Sequence, residues 1–142
     1  MFVDASALVA VINREPGWDE LAKRLSDVQN ACFVSPLVRF EAALAVARAA
    51  ATAGGRTGRP TPEILAVARE LVDDLVAEIG ATEIVISGPI ADTALDAAMT
   101  YGKAVGHPAD LNFGDCFAYA CAKACGTGLI YKGGDFARTD LA

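Results

Sequence analysis

Four acidic residues stand apart from the other charges of the chain and could together hold a metal ion. They are Asp4, Glu41, Asp115 and Asp135. Asp4 is the first charge of the chain, and Asp115, at the start of an apolar helix, is the only charge between Asp110 and Lys123. An aspartate at a helix start also has a plainer interpretation, because it caps the helix by accepting a backbone N–H. Carboxylates that share one cleft repel one another unless cations lie between them, and Mg²⁺ and Mn²⁺ prefer oxygen ligands. The pattern therefore predicts a divalent metal site of the kind that hydrolyses phosphodiesters.

Glu41 gives the strongest single signal of such a site. It lies in a predicted helix, where its neighbours one turn away are Leu37, Val38, Leu44 and Ala45, so no salt bridge along the helix can balance its charge. An unpaired buried carboxylate costs several kcal/mol unless it is protonated or meets a cation. We therefore expect Glu41 to face a functional site.

The predicted elements would bring these acids to one edge of a sheet. Asp4 follows a short buried strand, and Asp135 comes just after another, which places both at carboxyl ends of strands, where ligands bind in α/β sheets. The alternation of strands and helices predicts a parallel sheet with helices on both faces. The predicted strands cover residues 1–3, 31–34, 82–86 and 129–131, and the predicted helices cover 7–12, 18–28, 36–53, 62–79, 89–105 and 115–126.

Composition excludes several classes of protein. The 142 residues, 54% of them hydrophobic, predict one domain over residues 1–142. No apolar stretch reaches the ~18 residues of a membrane span, so we expect a cytoplasmic protein. The four cysteines form no zinc-binding pair with C-x₂-C spacing, and we expect them to be small buried hydrophobes. A single histidine, His107, cannot by itself furnish a Ser/His/Asp system. The net charge of -6 argues against a nucleic-acid coat protein but not against a nuclease that binds through metal.

Several short motifs resemble those of one known family. The motifs are Asp4-Ala5-Ser6, Ser35-Pro36 with Glu41, Asn112-Phe113-Gly114-Asp115, Lys132-Gly133-Gly134-Asp135-Phe136 and Thr139-Asp140. Over nearly its whole length the chain is similar to PIN domains, specifically the VapC-type toxin ribonucleases of bacterial toxin–antitoxin modules. The resemblance implies an α/β fold with three α/β/α layers around a central, mainly parallel sheet of four to five strands.

The resemblance also implies a function and assigns roles to residues. Asp4, Glu41, Asp115 and Asp135 would be the catalytic, metal-binding acids. The supporting polar groups would be Ser6, Asn112, Thr139 and, less directly, Asp140. The implied activity is endoribonuclease cleavage of RNA with Mg²⁺ or Mn²⁺. The implied partners are a second copy in a homodimer and a VapB-type antitoxin that inhibits the toxin.

Cations near the carboxylate edge are the expected RNA contacts, because a chain of net charge -6 repels a polyanion at long range. The candidates are Arg39, Lys132, Arg138, Arg56 and Arg59. The last two belong to the Gly/Arg-rich loop 54–60, whose alternative role is that of a solvated hinge.

Two other classes of function remain open at this point. A haloacid-dehalogenase-like phosphatase would account for Lys132 and the Asp135 region, but it needs a second aspartate where this chain has Ser6. A catalytically silent PIN-like binding module would keep the fold for partner contact alone. Loss of Mn²⁺-dependent RNA cleavage with intact partner binding would favour the silent module.

Overall fold

Short parallel strands form the centre of the molecule. The computed structural model describes residues 1–55 and 57–141, and within them the sheet has four strands in the order β3-β2-β1-β4, all parallel. The strands are β1 (Phe2–Val3), β2 (Phe33–Val34), β3 (Thr82–Glu83) and β4 (Leu129–Ile130). Phe2 of the inner strand β1 is in register with Phe33 of β2 and Leu129 of β4. Both residues of β1 are fully buried, so the core lies around this strand.

Helices cover the sheet and supply most of the core. In the described residues they are α1 (Ala5–Ile12), α2 (Trp18–Asp27), α3 (Pro36–Ala53), α4 (Pro62–Glu78), α5 (Gly88–Tyr101) and α6 (Phe113–Ala124), with 3₁₀ turns at Lys103–Val105 and Phe136–Arg138. The α/β class, with three layers around a parallel sheet, is confirmed. Helix α3 begins where the sequence predicts, because the Ser35 hydroxyl accepts the Val38 N–H and Pro36 fits the first helical position.

Some boundaries differ from the prediction. Strand β3 ends at Glu83 rather than at residue 86, and Val85 beyond it is 81% exposed. Helix α5 ends at Tyr101 because Gly102 adopts an extended backbone, and the chain continues as a 3₁₀ turn. Helix α6 starts two residues before Asp115, since Asn112 is its N-cap.

Two predictions from composition concern cysteines and membranes. Three of the four free cysteines are buried and Cys125 is half-buried, so most of them pack as small apolar groups. Among the helices of residues 1–55 and 57–141, none is long and apolar enough to cross a bilayer. The single domain over residues 1–142 stays a prediction.

Candidate active site

One cleft of about 740 Å³ is lined by all four predicted acids. Asp4 reaches it from the start of α1, Glu41 from α3, Asp115 from the first turn of α6, and Asp135 from the segment after β4. Four separate elements thus bring the acids together at the carboxyl ends of β1 and β4, as the sheet-edge argument predicts.

Asp4 is a helix cap and a cleft residue at once. Its Oδ2 atom accepts the Ser6 backbone N–H at 2.9 Å and the Ser6 hydroxyl at 2.5 Å. The Ser6 hydroxyl oxygen accepts the Lys132 backbone N–H at 3.0 Å, which fixes the β1–α1 junction to the segment after β4. Burial raises the pKa of Asp4, although the hydrogen bonds from Ser6 oppose the rise.

Asp115 also combines both roles. Its Oδ2 atom accepts the Asn112 backbone N–H at 2.8 Å, and the Asn112 side-chain oxygen accepts the Asp115 N–H at 3.1 Å, forming a capping box. Burial raises the pKa of Asp115 to about 6, the Asn112 hydrogen bond opposes this, and the charges of Asp4 and Asp135 add to the rise. The capping box holds one carboxylate oxygen in place while the other accepts no hydrogen bond from the described residues.

Glu41 faces the cleft together with Leu37, Leu44 and Ala45, the helical neighbours that the sequence identified. Its carboxylate lies against Gly114, where an added Cβ would overlap both carboxylate oxygens. Burial first, and then the charges of Asp4 and Asp115, raise the pKa of Glu41 to about 7. Glu41 is therefore partly protonated near neutral pH when no cation balances it.

Asp135 is the most open of the four acids. It precedes the 3₁₀ turn Phe136–Arg138, is exposed, and makes no capping hydrogen bond. Its charge nevertheless contributes to the raised pKa of both Asp4 and Asp115. The four acids thus form one electrostatically coupled group.

No cation among the described residues balances this group, because none of the ion pairs found there includes any of the four acids. Within residues 1–55 and 57–141, no three His, Cys, Asp or Glu side chains are arranged to hold a metal ion. Mg²⁺ needs fewer protein ligands than that, since it commonly uses one or two carboxylates and keeps several waters. Oxygen donors with unbalanced charge therefore fit a hard divalent cation.

The supporting residues divide into two groups. Ser6 and Asn112 line the cleft, whereas Thr139 and Asp140 do not. Thr139 is buried and its hydroxyl donates to the Phe136 carbonyl at 2.8 Å, which stabilises the local turn. A supporting role for these two residues at the site stays a prediction.

Asp140 instead joins the C-terminal segment to α6. It accepts the Lys123 ammonium at 2.6 Å and the Tyr119 hydroxyl at 2.7 Å. These two hydrogen bonds, that from Lys123 foremost, lower the pKa of Asp140. Its role in the structure is to hold the last turn against the helix.

Of the predicted RNA contacts, Lys132 lines the cleft, where its ammonium pairs with Glu15 at 2.5 Å. Arg39 is not at the cleft, and its guanidinium binds Asp73 at 2.7 Å and Glu83 at 2.6 Å. Arg39 therefore does not share the face of Glu41, because residues two apart in a helix point to different faces.

The other three arginines are also not among the residues that line the cleft. Arg138 donates to the Pro108 carbonyl at 3.1 Å. Arg59 is exposed in the loop between α3 and α4. Arg56 lies outside the described residues, so its predicted RNA contact stays a prediction.

Four polar or aromatic residues that line the cleft were given no site role from the sequence. They are Glu15, Phe40, Arg48 and Phe113. Arg48 follows Glu41 by seven residues, two helical turns on the same face, so helical spacing could have found it. Phe113 lies inside the quoted Asn112–Asp115 motif. Nothing in the sequence signalled Glu15, which reaches the cleft only through the turn after α1.

Comparison with known proteins identifies the family of this chain. The model of the PIN domain family matches residues 1–141. The chain belongs to the PIN-domain family. It is 52% identical to VapC ribonuclease R02377 of Rhizobium meliloti (strain 1021), over 99% of this chain and 98% of that protein. It is 34% identical to ribonuclease VapC30 of Mycobacterium tuberculosis (strain ATCC 25618 / H37Rv), over 100% of this chain and 96% of that protein. The resemblance to VapC-type PIN domains is thereby confirmed, and the phosphatase alternative loses its support.

Proposed function

We propose that this PIN-domain protein is a metal-dependent endoribonuclease that hydrolyses RNA phosphodiester bonds at the carboxylate cleft. The observation that carries the proposal is the convergence of four acids from four elements, without a cationic partner among the described residues. The similarity to proteins named VapC ribonucleases supports the same activity.

Asp4, Glu41, Asp115 and Asp135 would hold Mg²⁺ or Mn²⁺, one or two of them directly and the others through waters bound to the ion. When bound, the ion would supply positive charge that activates a water molecule and stabilises the leaving oxygen. The chain's own groups fix the geometry, because Ser6 orients the Asp4 carboxylate and Asn112 orients that of Asp115. Without a bound ion, burial and the charges of Asp4 and Asp115 raise the pKa of Glu41 to about 7, and a bound cation would lower it by favouring the carboxylate.

The resemblance extends the proposal to partners and location. We infer a toxin of a toxin–antitoxin pair that acts on cytoplasmic RNA, forms a homodimer and is neutralised by a VapB-type antitoxin. Light scattering tests the dimer, for which we expect a mass of twice the 14.7 kDa chain.

RNA cleavage tests the activity. Purified protein is incubated with single-stranded RNA and Mn²⁺, and the products are resolved on a denaturing gel. Asp115→Asn keeps the capping geometry but loses the charge, so we expect cleavage to fall by at least about a hundredfold. Asp92→Asn is the matched control, since Asp92 is exposed on α5 and does not line the cleft. If the unaltered protein cleaves no RNA with Mn²⁺, the silent binding module replaces this proposal.

A further inference from the structure

Two phenyl rings line the acidic cleft and remain largely exposed. Phe40 is 63% exposed and Phe113 is 68% exposed. A single exposed apolar side chain is ordinary on a protein surface, but here two aromatic rings share one cleft with the acids. Phe40 directly precedes Glu41, and Phe113 directly precedes Gly114, the residue against which the Glu41 carboxylate lies. Both rings therefore line the same cleft as the Glu41 carboxylate.

Both rings are held by rigid elements. Phe40 lies within the long helix α3, and Phe113 is the first residue of α6, directly after the Asn112 cap. The Phe113 ring also packs against Phe117, with ring centroids 5.0 Å apart. A ligand that stacks on these rings would need little ordering of the protein, which favours binding.

The chain's own side-chain cations offer few contacts for RNA at this cleft. Lys132 is already paired with Glu15. Among the described residues that line the cleft, Arg48 is then the one cation without an ion pair. The same cleft contains four acids. Apart from a bound metal ion, a polyanion at this cleft meets one unpaired side-chain cation among the described residues, so base contacts are needed to add affinity.

We propose that Phe40 and Phe113 are base-stacking platforms for single-stranded RNA and that Arg48 contacts one of its phosphates. The inference rests on the proposed ribonuclease function and names the substrate form that the site accepts. Every base offers a π-face, so stacking tolerates different sequences, but the bases of a duplex are stacked on one another and unavailable. The site thus selects unpaired regions of RNA.

Binding measurements test the stacking platforms. Fluorescence anisotropy with a labelled single strand of about eight nucleotides gives Kd in the Asp115→Asn background, which suppresses cleavage. We expect Phe40→Leu and Phe113→Leu each to weaken binding about tenfold without changing its salt dependence. The corresponding Phe→Tyr variants keep a ring and should bind within about twofold of the parent. Trp18→Leu removes a ring that does not line the cleft and should leave Kd unchanged.

Salt titration isolates the role of Arg48. Arg48→Ala should flatten the slope of log K against log[salt] by about 0.7, the contribution of one phosphate contact on a single strand. A duplex of equal length should bind weakly to every variant.

Three results would overturn the inference. The first is equal affinity of the parent and both Leu variants for the single strand, or no binding by the parent. The second is duplex binding as tight as that of the single strand. In the third, the Leu variants keep RNA affinity but lose binding to the co-expressed antitoxin, and the rings then serve a protein partner. If the unaltered protein still cleaves RNA with Mn²⁺ in these cases, the nuclease assignment survives and only the stacking platforms fail.

Discussion

Asp4 and Asp115 each serve as a helix cap and as a lining of the cleft. Capping and site roles were alternatives for these residues in the sequence, yet a carboxylate has two oxygens and can meet both demands. In Asp115, Oδ2 accepts the Asn112 N–H while Oδ1 accepts no hydrogen bond from the described residues. The helix start thus orients the carboxylate through a hydrogen bond from the chain itself.

Gly114 is predicted to set the position of Glu41. Because a Cβ at this position would overlap the Glu41 carboxylate, Gly114→Ala should displace that side chain and reduce the free energy of unfolding by about 1–3 kcal/mol. It should also weaken Mn²⁺ binding. Chemical denaturation and calorimetry measure the two effects. Gly88→Ala is the control, since an added Cβ there meets no atom within 4 Å. Equal stability of the two variants would show that Glu41 does not depend on this glycine.

Single residues also show what the sequence could predict and where it failed. The apolar neighbours of Glu41 predicted a cleft-facing carboxylate, because helical periodicity fixes which side chains share a face. The same periodicity should have selected Arg48 rather than Arg39 as the cation on that face. Adjacency in sequence was the wrong guide, since it ignores the rotation of about 100° per residue.

Among the elements, Arg39 connects α3 to α4 and to the edge strand β3. Its guanidinium binds Asp73 and Glu83, and each of these side chains is about one-third exposed. We expect Arg39→Ala to lower the free energy of unfolding by about 1 kcal/mol, given solvent screening, and to leave RNA affinity unchanged. Arg48→Ala, on the same helix, should leave the free energy of unfolding unchanged and weaken RNA binding. Urea denaturation and RNA anisotropy on both variants separate the roles, and an RNA-binding defect in Arg39→Ala would contradict them.

Element boundaries were predictable where local chemistry sets them. Ser35 and Thr61 cap α3 and α4, and each is followed by proline, so side-chain type and order sufficed. Thr139 and Asp140 could not be placed in this way. Their position depends on a 3₁₀ turn of three residues and on the bonds of Asp140 to Tyr119 and Lys123, which are tertiary contacts.

For the whole molecule, the acid cluster predicts how stability changes with pH. The pKa of Glu41 rises from its ordinary value of 4.5 to about 7, so between these values the folded protein binds more protons than the unfolded chain. Stability from this group is therefore fully present below about pH 4.5 and is lost as pH rises through about 7. Melting temperatures in EDTA should fall over that interval. Glu41→Gln should flatten the fall and melt higher at pH 8, and a lower melting temperature for this variant would reveal a structural partner of Glu41.

The four elements that meet at the cleft give the molecule its central feature, a group of four carboxylates that we propose binds a divalent cation. Titration calorimetry with Mn²⁺ tests this most directly, using the unaltered protein, Asp115→Asn and the Asp92→Asn control. We predict saturable binding to the unaltered protein and the control. Asp115→Asn should bind at least about tenfold more weakly while it melts no lower in metal-free buffer. Unchanged Mn²⁺ affinity in Asp115→Asn, or no binding to the unaltered protein, would contradict the assignment of the four acids to one metal site.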